Sequence, residues 1–258
     1  MNVAAQRWDQ LPGQAELLLP HYTEATAGLS HEHKGIRRSE LFFFYVAATR
    51  FHPSRIVESG RGRAQSTLVL ARLFPEALIV SLESDEHSPD VAVAAERLRA
   101  CPNVECRFGD SRRLLPRLVE ARDVILIDGP KDFRALKLAF GLLETGKPSA
   151  VFVHDLWLGS PARRFVDRHV PSVLLSDDRR WVERYASLDS KKPIPSLRSL
   201  GERRAYGATL GCFEKGTEDY RRRLFQCSAA QSLDRFRATL RKIFRRPPPK
   251  RPSDFAPR

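Results

Sequence analysis

Between residues 55 and 153, short runs of Val, Ile and Leu alternate with longer stretches whose apolar residues recur every three or four positions. The runs at 55–58, 77–82, 104–108, 123–127 and 150–153 read as strands. The stretches at 65–74, 88–100, 111–121, 131–144 and 162–169 read as helices, with Pro116 disturbing the third. Strands that are apolar throughout, rather than alternating, are buried on both faces, as in a parallel sheet covered by helices. An earlier apolar stretch, 41–48, follows Ser39-Glu40 and ends at Pro53, which predicts a helix of about three turns leading into the first strand. Segments 172–176 and 208–213 supply two further strands. The expected architecture is a Rossmann-like, doubly wound α/β fold, with a mostly parallel seven-stranded sheet and helices on both faces.

The flanks follow different patterns. Residues 1–37, with Pro12-Gly13, His31, His33 and Lys34-Gly35, read as an irregular N-terminal arm with room for one short helix. Residues 38–215 form the sheet domain. Residues 216–258 read as a basic helical extension over 218–246, followed by a disordered Pro-rich end. Of the formal net charge of +13, this extension supplies 8, with 12 Lys+Arg against 4 Asp+Glu; residues 1–215 hold 32 against 27. Leu233, Phe236, Leu240 and Phe244 recur there at helical spacing among arginines. The default expectation is that this stripe packs on the fold or on a second copy in a homo-oligomer. Contact with anionic membrane or with nucleic acid is the alternative.

Composition removes several classes. A hydrophobic fraction of 42% excludes wholesale disorder. The longest apolar run falls short of the roughly 20 residues a membrane span needs, and no apolar leader follows Met1. Cys101, Cys106, Cys212 and Cys227 form no CxxC pair, and Cys106 and Cys212 fall on strands, as sheet interior. The expected setting is cytoplasmic, with reduced thiols.

Candidate chemistry gathers at strand ends, where open α/β sheets bind ligands. Strand one ends Glu58-Ser59-Gly60-Arg61-Gly62, glycines that let the chain turn tightly beneath a ligand ahead of a helix N-terminus. Strand two ends at Glu83, where an acid can accept both hydroxyls of a ribose. Strand three ends Phe108-Gly109-Asp110, strand four Asp128-Gly129-Pro130-Lys131, and strand five His154-Asp155. The first loop lacks the third glycine of a nicotinamide fingerprint, its place being taken by Gln65.

The pattern Glu58-x-Gly60-x-Gly62 resembles the first motif of class I S-adenosylmethionine-dependent methyltransferases, and the resemblance runs over roughly residues 38–177. Within that class, Ile127-Asp128-Gly129 and His154-Asp155 resemble the small-molecule O-methyltransferase subgroup. The resemblance implies S-adenosylmethionine (SAM) as cofactor, held by Glu58, Gly60, Gly62, Glu83 and Asp110. It implies a small hydroxylated acceptor such as a sugar, with Asp128, Lys131 and His154 as catalytic residues. Asp128 and Asp155 would hold Mg²⁺ or another divalent cation if the reaction is metal-assisted. Without metal, His154 or Lys131 would be the base, Lys131 then needing a depressed pKa. Catechol-type relatives carry Asp-Asn where this chain has His154-Asp155. A macromolecular methyltransferase, acting on RNA through the basic extension, and a non-catalytic cofactor-binding module are the alternative readings. Trp157 and Trp181 read as packing residues, and His31 and His33 as part of an exposed arm.

Overall fold

The structure is a computed structural model that describes residues 3–29, 35–189 and 209–244. His31, His33, most of the 178–205 segment and the Pro-rich end lie outside the described residues. Among the described residues, seven strands form one sheet: β1 (Arg55–Ser59), β2 (Leu78–Glu83), β3 (Val104–Phe108), β4 (Val124–Ile127), β5 (Ala150–Val153), β6 (Leu174–Leu175) and β7 (Gly211–Glu214). Their order is β3-β2-β1-β4-β5-β7-β6, with β7 antiparallel to both of its neighbours and the first five strands parallel. The doubly wound, mostly parallel fold expected from the pattern is the fold observed.

Alternation along the central strands divides the core. Ile56, Ile79, Val124, Leu126 and Phe152 belong to one apolar cluster, while Val57, Val80, Ile125, Ile127 and Val153 belong to the other. The first cluster is roofed by α1 (Val3–Thr26), α2 (Arg38–Thr49) and α3 (Gln65–Leu73). The second is covered by α6 (Phe133–Glu144), α7 (Pro161–His169) and the first turns of α9 (Tyr220–Phe244). Two further helices, α4 (Asp90–Leu98) and α5 (Ser111–Leu118), complete the crossovers to β3 and β4.

α1 corrects the reading of residues 1–37 as an irregular arm. It runs for 24 residues with Pro12 and Pro20 inside it, and it buries Trp8, Leu11, Ala15 and Tyr22. It covers the outer side of α2, whose inner side meets the sheet: the Tyr22 and Phe42 rings lie 4.8 Å apart, and those of Phe44 and Phe152 4.4 Å apart. Residues 41–48 are therefore apolar all round because they are enclosed on every side. A short helix missing from the sequence reading, α8 (Arg179–Tyr185), inserts Trp181 and Tyr185 beside Phe42. Trp181 is thus a packing residue, whereas Trp157 is 47% exposed and is not. Cys106 is exposed on the edge strand β3, contrary to expectation, and Cys212 is buried.

Candidate active site

Register places the chemistry. Ser59 pairs with Leu82 and Ile127, Glu83 with Phe108, and Ile127 with Val153, so the carboxyl ends of β1–β5 stop level with one another. Each loop then leans on the neighbouring strand end. Gly60 N donates to Leu82 O (3.0 Å), Gly109 N to Glu83 O (2.8 Å), Asp128 N to Ser59 O (2.9 Å) and His154 N to Ile127 O (2.9 Å). Between these ends lies a cleft of about 420 Å³, lined by Gly60, Leu82 and Ser84, by Gly109–Arg112, and by Gly129–Lys131 with Arg134.

Gly60 sits where β1 and β4 part, at φ +89°, and a Cβ there would meet Asp128 C and Gly129 N at 3.0 Å. Only glycine lets the loop come this close. The Gly129 carbonyl accepts from Ser59 Oγ (2.5 Å) and Ser111 Oγ (2.9 Å), which pins the third and fourth loops together. Asp110 caps α5 by accepting from Arg112 N (3.0 Å), and it also pairs with the Arg112 guanidinium, which lowers its pKa to about 2.

Glu58 and Glu83 do not line the cleft. Glu58 is fully buried beneath the loop, where it accepts hydroxyl hydrogens from Ser66 (2.5 Å), Ser81 (2.8 Å) and Thr67. It anchors the turn from β1 into α3, and burial pushes its pKa up. Glu83 lies between the lining residues Leu82 and Ser84 and faces the loop, accepting from Gly62 N (2.8 Å), Ser84 N (2.7 Å) and Asp85 N (3.3 Å). Burial opposes its ionisation, but these N–H groups outweigh it and the pKa falls. Arg61 also reaches back under the loop, donating to Ser81 O (2.8 Å) with its guanidinium 4.8 Å from the Phe108 ring centroid.

The other end of the crevice is ionic. Lys131 Nζ lies 2.5 Å from Asp128 Oδ1 and 2.6 Å from Asp155 Oδ2. His154 Nδ1 lies 2.7 Å from Asp128 Oδ1, and its Nε2 lies 3.2 Å from Oε2 of Glu40, a fully buried residue near the start of α2. Burial alone would lower the His154 pKa, but the Glu40 and Asp128 carboxylates raise it to about 10. Burial would likewise lower that of Lys131, and Asp128 and Asp155 raise it instead. Asp128 is held below its ordinary value: burial opposes ionisation, and the His154 hydrogen bond and charge outweigh it. The depressed pKa that would make Lys131 a free base is therefore reversed in the structure. Both ring nitrogens of His154 are engaged, Nδ1 by Asp128 and Nε2 by Glu40, whose own pKa burial pushes up.

Asp128, His154 and Asp155 do bring three ligand-type atoms within 4.8 Å of one another. The Lys131 ammonium, however, bridges the two carboxylates, and both His154 nitrogens are already taken up by Asp128 and Glu40. As arranged, these residues do not fit a divalent cation. Glu40 was missed from sequence, as were Ser84, Ser111, Arg112 and Arg134 of the cleft lining. For Glu40 the signal was an acidic residue directly ahead of a wholly apolar helix, in capping position toward Arg37 N (3.0 Å).

No family model matches the chain, and no curated protein matches it. Among solved structures, it is similar to the O-methyltransferase from Bacillus cereus in complex with SAH, at 17% identity and a TM-score of 0.45, covering 79% of this chain and 91% of that one. It is also similar to the O-methyltransferase TomG from Streptomyces achromogenes, involved in tomaymycin synthesis, in complex with SAM (17% identity, TM-score 0.46, 77% and 89% covered). Cofactor-bound Rv0187 from MTB is similar at 18% identity and a TM-score of 0.46, with 79% and 90% covered.

Proposed function

We propose that this protein is a SAM-dependent O-methyltransferase acting on a small hydroxylated molecule, without a divalent metal. The observation that carries the reading is the cleft itself. It opens at the ends of β1–β4, is lined by Gly60, Ser84 and Asp110–Arg112, and leads directly to the Asp128–Lys131–Asp155 cluster. The cofactor, when bound, supplies a methyl group on an electrophilic sulfonium.

The chain's own residues do the remaining work. Asp110 and Ser111 stand at the adenosine end, with Glu83 and Gly62 behind it, where a ribose hydroxyl can replace the Gly62 N–H on the Glu83 carboxylate. At the far end, the Lys131 ammonium attracts an acceptor oxygen and stabilises its developing negative charge. The Asp155 carboxylate, its side chain 30% exposed, takes the hydroxyl proton as that oxygen attacks. His154 and Glu40 hold Asp128, and through it Lys131, in place. Most of the catalytic effect in this scheme is placement of the two reactants.

The test is SAM turnover in chelator over a panel of phenols, catechols and sugars, with RNA as a separate arm. Turnover of a small hydroxyl compound in chelator is the expected result. Turnover of RNA alone would replace the acceptor class, and tight cofactor binding with no turnover on either arm would make the protein a binding module.

A further inference from the structure

The C-terminal helix α9 carries two unlike faces. Tyr220, Leu224, Cys227 and Ala230 pack against the sheet's second apolar cluster, and Cys227 is fully buried beneath α6. On the opposite side, Phe225, Ala229, Leu233, Phe236 and Leu240 recur at intervals of three and four. Phe225 is 77% exposed, Phe236 60% and Leu233 49%. Of the stripe expected to pack on the fold or on a second copy, Leu233 and Phe236 are therefore turned to solvent, and different residues pack against the sheet. Exposed Arg221, Arg222, Arg235 and Arg237 flank it. Beside it, between α7 and α9, lies a groove of about 210 Å³ that includes Arg164, Arg168 and Arg237 over an apolar floor of Phe133, Phe165 and Leu233. Leu233 and Asp234, the groove's one acid, come from α9 itself.

We infer that the outer face of α9 docks this protein on an anionic lipid bilayer, its phenylalanines entering the acyl boundary and the groove arginines meeting lipid phosphates. Exposed aromatic and aliphatic side chains flanked by arginines are the composition of a helix that lies in a membrane interface. A second copy docking through the same face would set these arginines against their own counterparts. Nucleic acid needs the charge but gives Leu233 and Phe236 nothing to bury against. Among the described residues no helix is long and apolar enough to cross a membrane, so the association would be peripheral. The inference is independent of the chemistry in the cleft.

The experiment is co-sedimentation of the full chain with vesicles of phosphatidylcholine alone and with 30% phosphatidylglycerol, at low and high salt. The expected result is binding to the anionic vesicles only, weakened by salt, and reduced at least about tenfold by F225S and again by F236S. Because both rings are exposed, the variants should melt like the wild type, which separates lost docking from lost folding. Arg168→Gln should weaken binding to anionic vesicles without changing the melting temperature. Equal binding to both vesicle types, no binding, or binding untouched by the phenylalanine variants would overturn the inference. So would self-association abolished by F225S, which would assign the face to a second copy, or RNA binding lost in the same variant.

Discussion

At the ends of β1–β3, Ser84, Asp110 and Ser111 face an open cleft, and the Glu83 carboxylate is held by backbone N–H groups and the Ser84 hydroxyl, which a ligand hydroxyl can replace. At the ends of β4 and β5, the charges have already met their opposites: Lys131 bridges Asp128 and Asp155, and His154 bridges Asp128 and Glu40. Both halves use the same device, polar side chains at or just beyond the end of a parallel strand, yet one is built to receive and the other to hold itself still. The difference lies in burial. His154 and Glu40 are enclosed and cannot exchange partners for water, so their mutual contact offsets a large desolvation cost. Glu83 and Asp110 are partly exposed and can trade partners.

Breaking the closed half should have the largest effect. His154→Gln leaves Glu40 and Asp128 facing each other without their shared cation, and we expect a loss of about 3–5 kcal/mol, read as a lower melting temperature. The His154 pKa rises from 6.5 to about 10 on folding, so its stabilisation is complete below about pH 6.5 and disappears as pH rises through about 10. The gap in melting temperature between wild type and variant should narrow over that window. A gap that stays constant with pH would mean His154 is neutral in the folded protein.

Gly60→Ala tests the seam between the halves. Its Cβ would press on the β4 loop backbone at 3.0 Å from a left-handed conformation, which should cost about 1–3 kcal/mol and distort the cleft. Calorimetry should then show weakened S-adenosylhomocysteine binding together with a lower melting point. In the open half, Glu83→Ala should weaken S-adenosylhomocysteine by about 1–3 kcal/mol, a smaller change in stability accompanying it. Unchanged affinity would remove Glu83 from the ribose.

The sheet was legible because parallel strands buried on both faces must be apolar along their whole length, and the positions of the site residues followed from where those runs stop. Roles were less legible. Glu58 has the residue type of a ligand contact but anchors a turn, because its place in β1 is interior rather than terminal. Lys131 lines the cleft, but its charge state depends on two carboxylates from separate strand ends. Glu40 joins the site across 114 residues of chain, a contact no local pattern encodes. α1 was hidden by its prolines, although Trp8, Leu11, Ala15 and Tyr22 keep the spacing of a buried helix face. The α9 stripe was visible, but its direction was not, since a helix with apolar residues on two sides does not declare which side meets the core.

The contrast between the halves reduces to one calorimetric series on metal-free protein: S-adenosylhomocysteine first, then Mg²⁺, in wild type and in Lys131→Ala. The account predicts one-to-one S-adenosylhomocysteine binding in the wild type and no heat from Mg²⁺, with Mg²⁺ binding emerging only once the ammonium is removed and Asp128 and Asp155 are left facing each other. Absence of S-adenosylhomocysteine binding, or Mg²⁺ binding to the wild type that is lost in Asp155→Asn, would contradict it.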